Sequence, residues 1–185
     1  MSFLVTGGGG FIGSHLVEHF LTETDDDVIV LDNFSTGDRS NLSHINDDRL
    51  LVENGDVRDA ATVAQAIAGV DFVYHLAAAV GVQKIVENPL DALRTNLKGT
   101  ENVLEAAAED GTPTFIASSS EVYGKSEAVP FSEQDDRVLG GTDVPRWGYA
   151  SAKAVDEFLA LAYHDEHDLP VVVGRYFNIV GPRQT

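Results

Sequence analysis

Apolar residues follow two alternating rhythms along the chain. Six short runs are almost continuously apolar and end at turn-forming residues: 2–6 (SFLVT), 28–32 (VIVLD), 49–53 (RLLVE), 71–77 (DFVYHLA), 113–119 (PTFIASS) and 169–177 (LPVVVGRYF). Runs of this length and composition predict buried strands. Between most of them, helix-like segments span Phe11 to Thr24, Asp59 to Ala68, Pro89 to Glu109 and Trp147 to His167. Strands that alternate with helices imply right-handed β-α-β crossovers onto one sheet, so the expected fold class is α/β, a doubly wound parallel sheet. No internal repeat or low-complexity linker interrupts the alternation. The least regular stretch, Lys125 to Arg146, contains Pro130, Pro145 and the Gly140-Gly141 pair. A loop of that length is a candidate for function.

At 185 residues the chain has length for one domain, or for one domain and the start of another. Its 43% apolar content is that of a globular protein. No stretch approaches the roughly 20 apolar residues of a membrane span, and the N-terminus lacks the basic start of a secretory signal. A soluble, cytoplasmic protein with no membrane partner is expected. The absence of cysteine removes disulfides, thiolate zinc sites and cysteine nucleophiles, which leaves any chemistry to oxygen and nitrogen groups. Twelve basic residues stand against 30 acidic ones, a formal charge of −18 that repels nucleic acid. Aspartates come in runs (TDDDV, NDDR, QDDR) and lysines number only four, a solvated acidic surface of the kind halophiles use. A high-salt cytoplasm is the expected setting.

The run GGGG at positions 7–10 sits between the first strand and the first helix. Glycine inside either element costs stability, so four in succession have to serve backbone geometry. Gly7, Gly10 and Gly13 fall in the spacing G-x-x-G-x-x-G, with Gly8 and Gly9 at the variable positions. One glycine permits a tight turn, one lets the backbone approach a pyrophosphate, one lets the helix pack on the strand, and the helix N-terminus faces the anion. The second strand ends at Asp32, where a carboxylate accepts hydrogen bonds from ribose hydroxyls and repels a 2'-phosphate. The pattern points to NAD rather than NADP.

On the same helix, HLVEH (His15 to His19) matches an inverted zinc-protease pattern. A helix packed on a nucleotide-binding strand leaves no room for a metal cleft and no third ligand is evident, so no metal is expected. His164 and His167 read as surface residues of a late helix. The segment YASAK puts Tyr149 and Lys153 four apart on one helix face. A phenol titrates at about 10, too high for a base at neutral pH, but a neighbouring ammonium and an oxidised nicotinamide favour the phenolate. Tyr149 is the candidate to take a proton from a sugar hydroxyl while hydride leaves the same carbon. Upstream, in ASSSEVYG, the fifth strand ends at Ser118 to Ser120 with Glu121 next, and ligands sit at the C-terminal ends of strands in open α/β sheets.

Together these segments resemble the extended short-chain dehydrogenase/reductase family, specifically its nucleotide-sugar epimerases (UDP-glucose 4-epimerase-like), dehydratases and decarboxylases. TGGGGFIGSHL, LDNFSTG, GDVRD, HLAA, NLKGT, SSSEVYG, YASAK and RYFNIVGPR occur in the family's order over the whole chain. The resemblance implies a Rossmann fold with NAD. Phe11 and Ile12 would touch the pyrophosphate; Asp32, Asn33, Phe34, Ser35, Thr36 and Gly37 the adenosine ribose; Asp56 and Val57 the adenine. Leu76, Ala77, Ala78, Val80 and Asn96 would line the cofactor, with Phe177 near the nicotinamide. Ser119 would hydrogen-bond the sugar hydroxyl beside Ser120, Tyr149 would be the base, Lys153 would bind the nicotinamide ribose, and Asn178 would face the substrate diphosphate. The resemblance also implies a UDP-sugar substrate and a homodimer through a four-helix interface formed by 91–109 and 147–167.

Val80 stands where galactose-type epimerases carry a lysine. Glu121 stands where those enzymes have a small hydroxyl residue and where dehydratases and glucuronate decarboxylases have glutamate. Ser120 stands where dehydratases carry the acid that serves water elimination. The shared first step is oxidation at C4. The reading adopted is 4-epimerisation of a UDP-hexose or UDP-hexuronate, with Glu121 in the catalytic set; UDP-glucuronate decarboxylation and 4,6-dehydration stay open as alternatives. A non-catalytic NAD-binding module is the alternative of another class, and the presence of Ser119, Tyr149 and Lys153 together argues against it. The chain stops at GPRQT, where family members continue into a smaller lobe that binds the nucleotide. Residues 1–185 are thus expected to form the NAD-binding domain, with that C-terminal substrate lobe absent, either through truncation or because the protein is naturally short.

Overall fold

A computed structural model describes residues 1–80 and 87–184. Six strands, β1 (Ser2–Thr6), β2 (Asp27–Asp32), β3 (Leu50–Asn54), β4 (Phe72–His75), β5 (Thr114–Ser119) and β6 (Val171–Tyr176), form a sheet in the order β3-β2-β1-β4-β5-β6. Every pairing is parallel. Among the described residues, helices α1 (Phe11–Glu23), α2 (Ala60–Ile67), α3 (Pro89–Asp110) and α4 (Arg146–His167) accompany it. Each element starts and ends within two residues of the segment that the apolar pattern predicts. The strand order reverses between β1 and β4, and that switch point is where open sheets of this type hold ligands.

The near-continuous apolar runs have a direct cause in the packing. Side chains on a strand alternate between faces, and here both faces of the central strands are covered. Leu4 of β1 packs with Val63 and Ile67 of α2 and with Val103 and Leu104 of α3. Phe3 and Val5 pack on the opposite face with Val17, Phe20 and Leu21 of α1. β2 divides the same way, Leu31 joining the first group and Val28 and Val30 the second. Each such fully buried Val or Leu contributes about 1.5–3 kcal/mol relative to an exposed one.

The helix ends follow ordinary capping rules where no ligand is involved. The Asp59 carboxylate accepts from Ala61 N and Thr62 N at the start of α2, and Gly111, at a left-handed φ of 67°, ends α3. α1 differs. Its N-cap is Gly10 and no side chain caps it, which leaves the first-turn N–H groups for something else.

Candidate cofactor and catalytic site

A cavity of about 430 Å³ lies over the C-terminal ends of the strands, across the switch point between β1 and β4. Its floor on one side is the glycine turn. Gly7 has a φ of 73°, and a Cβ there would stand 2.7 Å from Ala77 N. A Cβ on Gly13 would strike the Gly7 carbonyl oxygen. A side chain at Gly13 would push α1 away from the turn, and one at Gly7 would push the turn off the Leu76–Ala77 backbone, so the two glycines keep the helix N-terminus, β1 and the β4 loop in close approach.

Asp32 closes the same side. Its Oδ2 accepts from Gly9 N at 2.8 Å and its Oδ1 from Phe34 N at 2.7 Å. A carboxylate oxygen has two acceptor positions, so each oxygen keeps one for a ribose hydroxyl. The carboxylate also ties the glycine turn to β2, a role invisible in the spacing. Asn41 adds a second tie, Nδ2 donating to Gly9 O at 2.9 Å.

Of the glycine-turn residues named from sequence, Gly7, Gly10, Phe11, Ile12 and Gly13 line the cavity. From the β2 side, Asp32, Asn33, Ser35, Thr36 and Gly37 do so, and Val57 joins them. From the β4 loop come Leu76, Ala77, Ala78 and Val80, and from the opposite wall Ser119, Tyr149, Lys153 and Phe177. Six others stand off the wall. The Phe34 ring lies under the Arg39 guanidinium at 4.1 Å. Asp56 is engaged by Arg58 at 2.6 Å and by Asn33 Nδ2 at 3.1 Å, and the Arg58 hydrogen bonds hold its carboxyl down at about 2. Asn96 is buried and accepts from Ala79 N at 2.7 Å, fastening the loop that carries the lining residues. Ser120 and Glu121 open a short 3-10 turn after β5, and Asn178 is exposed beyond β6.

The opposite wall is built on side chains. Ser119 Oγ accepts from Glu121 N at 3.2 Å, which leaves its own hydrogen for another acceptor. Glu121 meets Arg146 at 3.2 Å, with both side chains more than a third exposed. Ser118, beside Ser119, donates to Glu157, and Arg175 of β6 grips that carboxylate with bonds of 2.9 and 2.8 Å. Burial alone would raise the pKa of Glu157, but the Arg175 and Ser118 hydrogen bonds outweigh it and hold the carboxyl below its usual range. Lys153, one turn after Tyr149 on α4, is buried and bonded to Asp156. The Glu157–Arg175 and Lys153–Asp156 pairs escaped the sequence reading, as did the lining residues Asn41 and Arg183. Arg183 reaches Glu18 at 2.6 Å, and His15 lies 3.1 Å from the Pro182 carbonyl, so two members of the HLVEH segment pack against the chain's last described residues.

A turn that excludes a Cβ at Gly7 and Gly13, an uncapped helix N-terminus and an acidic residue with two spare acceptor positions fit the pyrophosphate and ribose of a dinucleotide. Fold and site together define a Rossmann domain of the dinucleotide-binding kind. The model of a family described as GDP-mannose 4,6 dehydratase matches residues 4–185, and the chain belongs to this family, the nucleotide-sugar epimerases and dehydratases of the extended short-chain dehydrogenase/reductase type. It is 41% identical over 180 residues to the UDP-N-acetyl-alpha-D-glucosaminuronate decarboxylase of Bacillus cytotoxicus, a match covering 97% of this chain and 55% of that protein. Among solved structures, the UDP-N-acetylglucosamine 4-epimerase of Methanobrevibacter ruminantium, in complex with UDP-N-acetylmuramic acid, superposes with a TM-score of 0.90 at 32% identity, covering 100% of this chain and 57% of that one. The dTDP-glucose 4,6-dehydratase of Streptomyces venezuelae, solved with NAD and TYD bound, gives 0.91 at 35% identity, covering 100% and 58%. The chain spans about half the length of the curated relatives it matches.

Proposed function

We propose that these residues form the NAD-binding and catalytic half of a nucleotide-sugar 4-epimerase acting on a UDP-hexose or UDP-hexuronate. The observation that carries the reading is the meeting of Ser119, Tyr149 and Lys153 with the glycine turn and Asp32 around one cavity. When bound, NAD supplies the hydride acceptor and donor at sugar C4. Tyr149 takes the proton of the C4 hydroxyl and returns it after the sugar has presented its other face. Ser119 donates its free hydrogen to the C4 oxygen and holds it beside Tyr149, and Lys153 offers its remaining donors to the nicotinamide ribose. Asp32 disfavours a 2'-phosphate by charge, so NAD is preferred over NADP.

A second reading, decarboxylation of a UDP-uronate, draws support from the Glu121–Arg146 pair at the end of β5 and from the decarboxylase relative. Substrate positioning comes from nucleotide contacts supplied by a smaller lobe outside these residues. A dimer through α3 and α4 fits the exposure of Leu90, Val155, Phe158 and Leu161 on those helices, and the acidic surface suits a cytoplasm of high salt.

The test offers UDP-sugars with and without a C6 carboxylate to the chain and to a longer form, and reads product mass. Unchanged mass with inverted C4 supports epimerisation; loss of carbon dioxide establishes the decarboxylase; loss of water establishes a dehydratase. NAD should bind in both forms and turnover should require the longer one. Tyr149→Phe should lower turnover at least ~100-fold, the usual effect of losing a general base. Full activity in that variant removes Tyr149 from the mechanism.

A further inference from the structure

The Lys153 side chain is 3% exposed, and its ammonium donates to Asp156 Oδ2 at 3.1 Å. Asp156, three residues further along α4, is wholly buried, and its other oxygen has no hydrogen bond of normal geometry. A buried ion pair is a poor way to fill a core, because desolvation offsets most of the attraction and apolar side chains of like volume stabilise as well or better. The pair needs a reason outside packing.

A line of polar groups runs up to Asp156 from the far side of the cavity. Ala77 N–H can only donate, and it reaches Thr6 Oγ1 at 3.2 Å. The same Thr6 Oγ1 shares a hydrogen bond of 2.8 Å with His75 Nδ1. His75 Nε2 is in turn hydrogen-bonded to Thr100 Oγ1 at 3.2 Å, and Thr100 is a polar neighbour of Asp156 that favours its charged form. Burial, together with the charge of Lys153, pushes His75 down to about 3, so no second cation competes for Asp156. Glu157 cannot substitute, since Arg175 and Ser118 occupy it. Lys153 has three N–H donors, Asp156 takes one, and Lys153 lines the cavity that Tyr149 also lines.

We propose that Asp156, backed by Thr100 and His75, is a positioning residue that holds the Lys153 ammonium so that its other donors face the cofactor cavity. The inference rests on the reading of that cavity as an NAD site. Its test is a double-mutant cycle on NAD affinity, measured by calorimetry with wild type, Asp156→Asn, Lys153→Met and the double variant. Asp156→Asn keeps the shape and removes the charge, and should weaken NAD about tenfold or more; Lys153→Met should weaken it at least as much, and the double variant no further than Lys153→Met alone. Losses that multiply, or wild-type affinity in Asp156→Asn, overturn the proposal. If circular dichroism shows that Asp156→Asn does not fold, Thr100→Val takes its place, with a loss of about two- to threefold that must vanish in the Lys153→Met background. A wild-type chain that fails to bind NAD sinks the cofactor reading and this inference with it. Wild-type binding with multiplying losses sinks this inference alone.

Discussion

The two walls of the cavity are made of different material. The wall at β1 and α1 is backbone, and it functions because side chains are missing: a Cβ on Gly13 has nowhere to go but the Gly7 carbonyl. The wall at β5, α4 and β6 is side chain, and it functions because buried charges are matched, Glu157 by Arg175 and Lys153 by Asp156. One wall tolerates no addition and the other no subtraction.

The largest expected effect comes from subtraction. Arg175→Met leaves the Glu157 carboxylate buried and unpaired, and should lower unfolding free energy in urea by about 3–5 kcal/mol. Adding Glu157→Gln should recover most of the loss; a single variant that costs under ~1 kcal/mol would mean the side-chain wall is not held by charge. Addition on the backbone wall comes next. Gly13→Ala overpacks the turn and should cost about 1–3 kcal/mol together with NAD binding, whereas unchanged binding would show that the helix can withdraw from β1 without harm.

The gentlest probe is pH. Buried His75 stays neutral in the fold down to about 3 but takes a proton in the unfolded chain below its ordinary 6.5. Its stability contribution is therefore complete above pH 6.5 and lost as pH falls towards 3, with a limiting slope of about 1.4 kcal/mol per pH unit. Asp156 works in the opposite sense: burial pushes its carboxyl up against the pull of Lys153, so the fold holds that proton more tightly than the unfolded chain. Melting curves of His75→Gln between pH 6.5 and 4.5 should be flatter than those of wild type; parallel curves would remove His75 from the acid response.

The same contrast explains what could be read from sequence. The six strands were legible because residues such as Leu4 and Val5 are buried on opposite faces, which writes both positions into the chain as apolar. The glycine turn was legible because all its parts lie within seven consecutive positions. Arg175 and Glu157 belong to different elements, and no local period connects them. The Lys153–Asp156 pair is at helical spacing, but only the burial of both side chains distinguishes it from a solvated surface pair. The strand end makes Asp32 a candidate ribose ligand, while its grip on Gly9 needs the chain to fold back on itself.

The parallel sheet also governs the order in which the protein can be assembled. β1 lies in the middle of the described sheet and takes a partner on each edge, β2 on one side and β4 on the other. No hairpin can close either edge, since parallel pairing waits for an intervening crossover. β2 and β3 can dock once residue 54 has been made, but the second edge of β1 stays open until Phe72–His75 emerge. During that interval the nascent chain carries an apolar strand with unpaired N–H and C=O groups, a template for pairing with other chains. The length of chain between Asn54 and Phe72 therefore sets how long that edge stays open, and with it the exposure to wrong pairing.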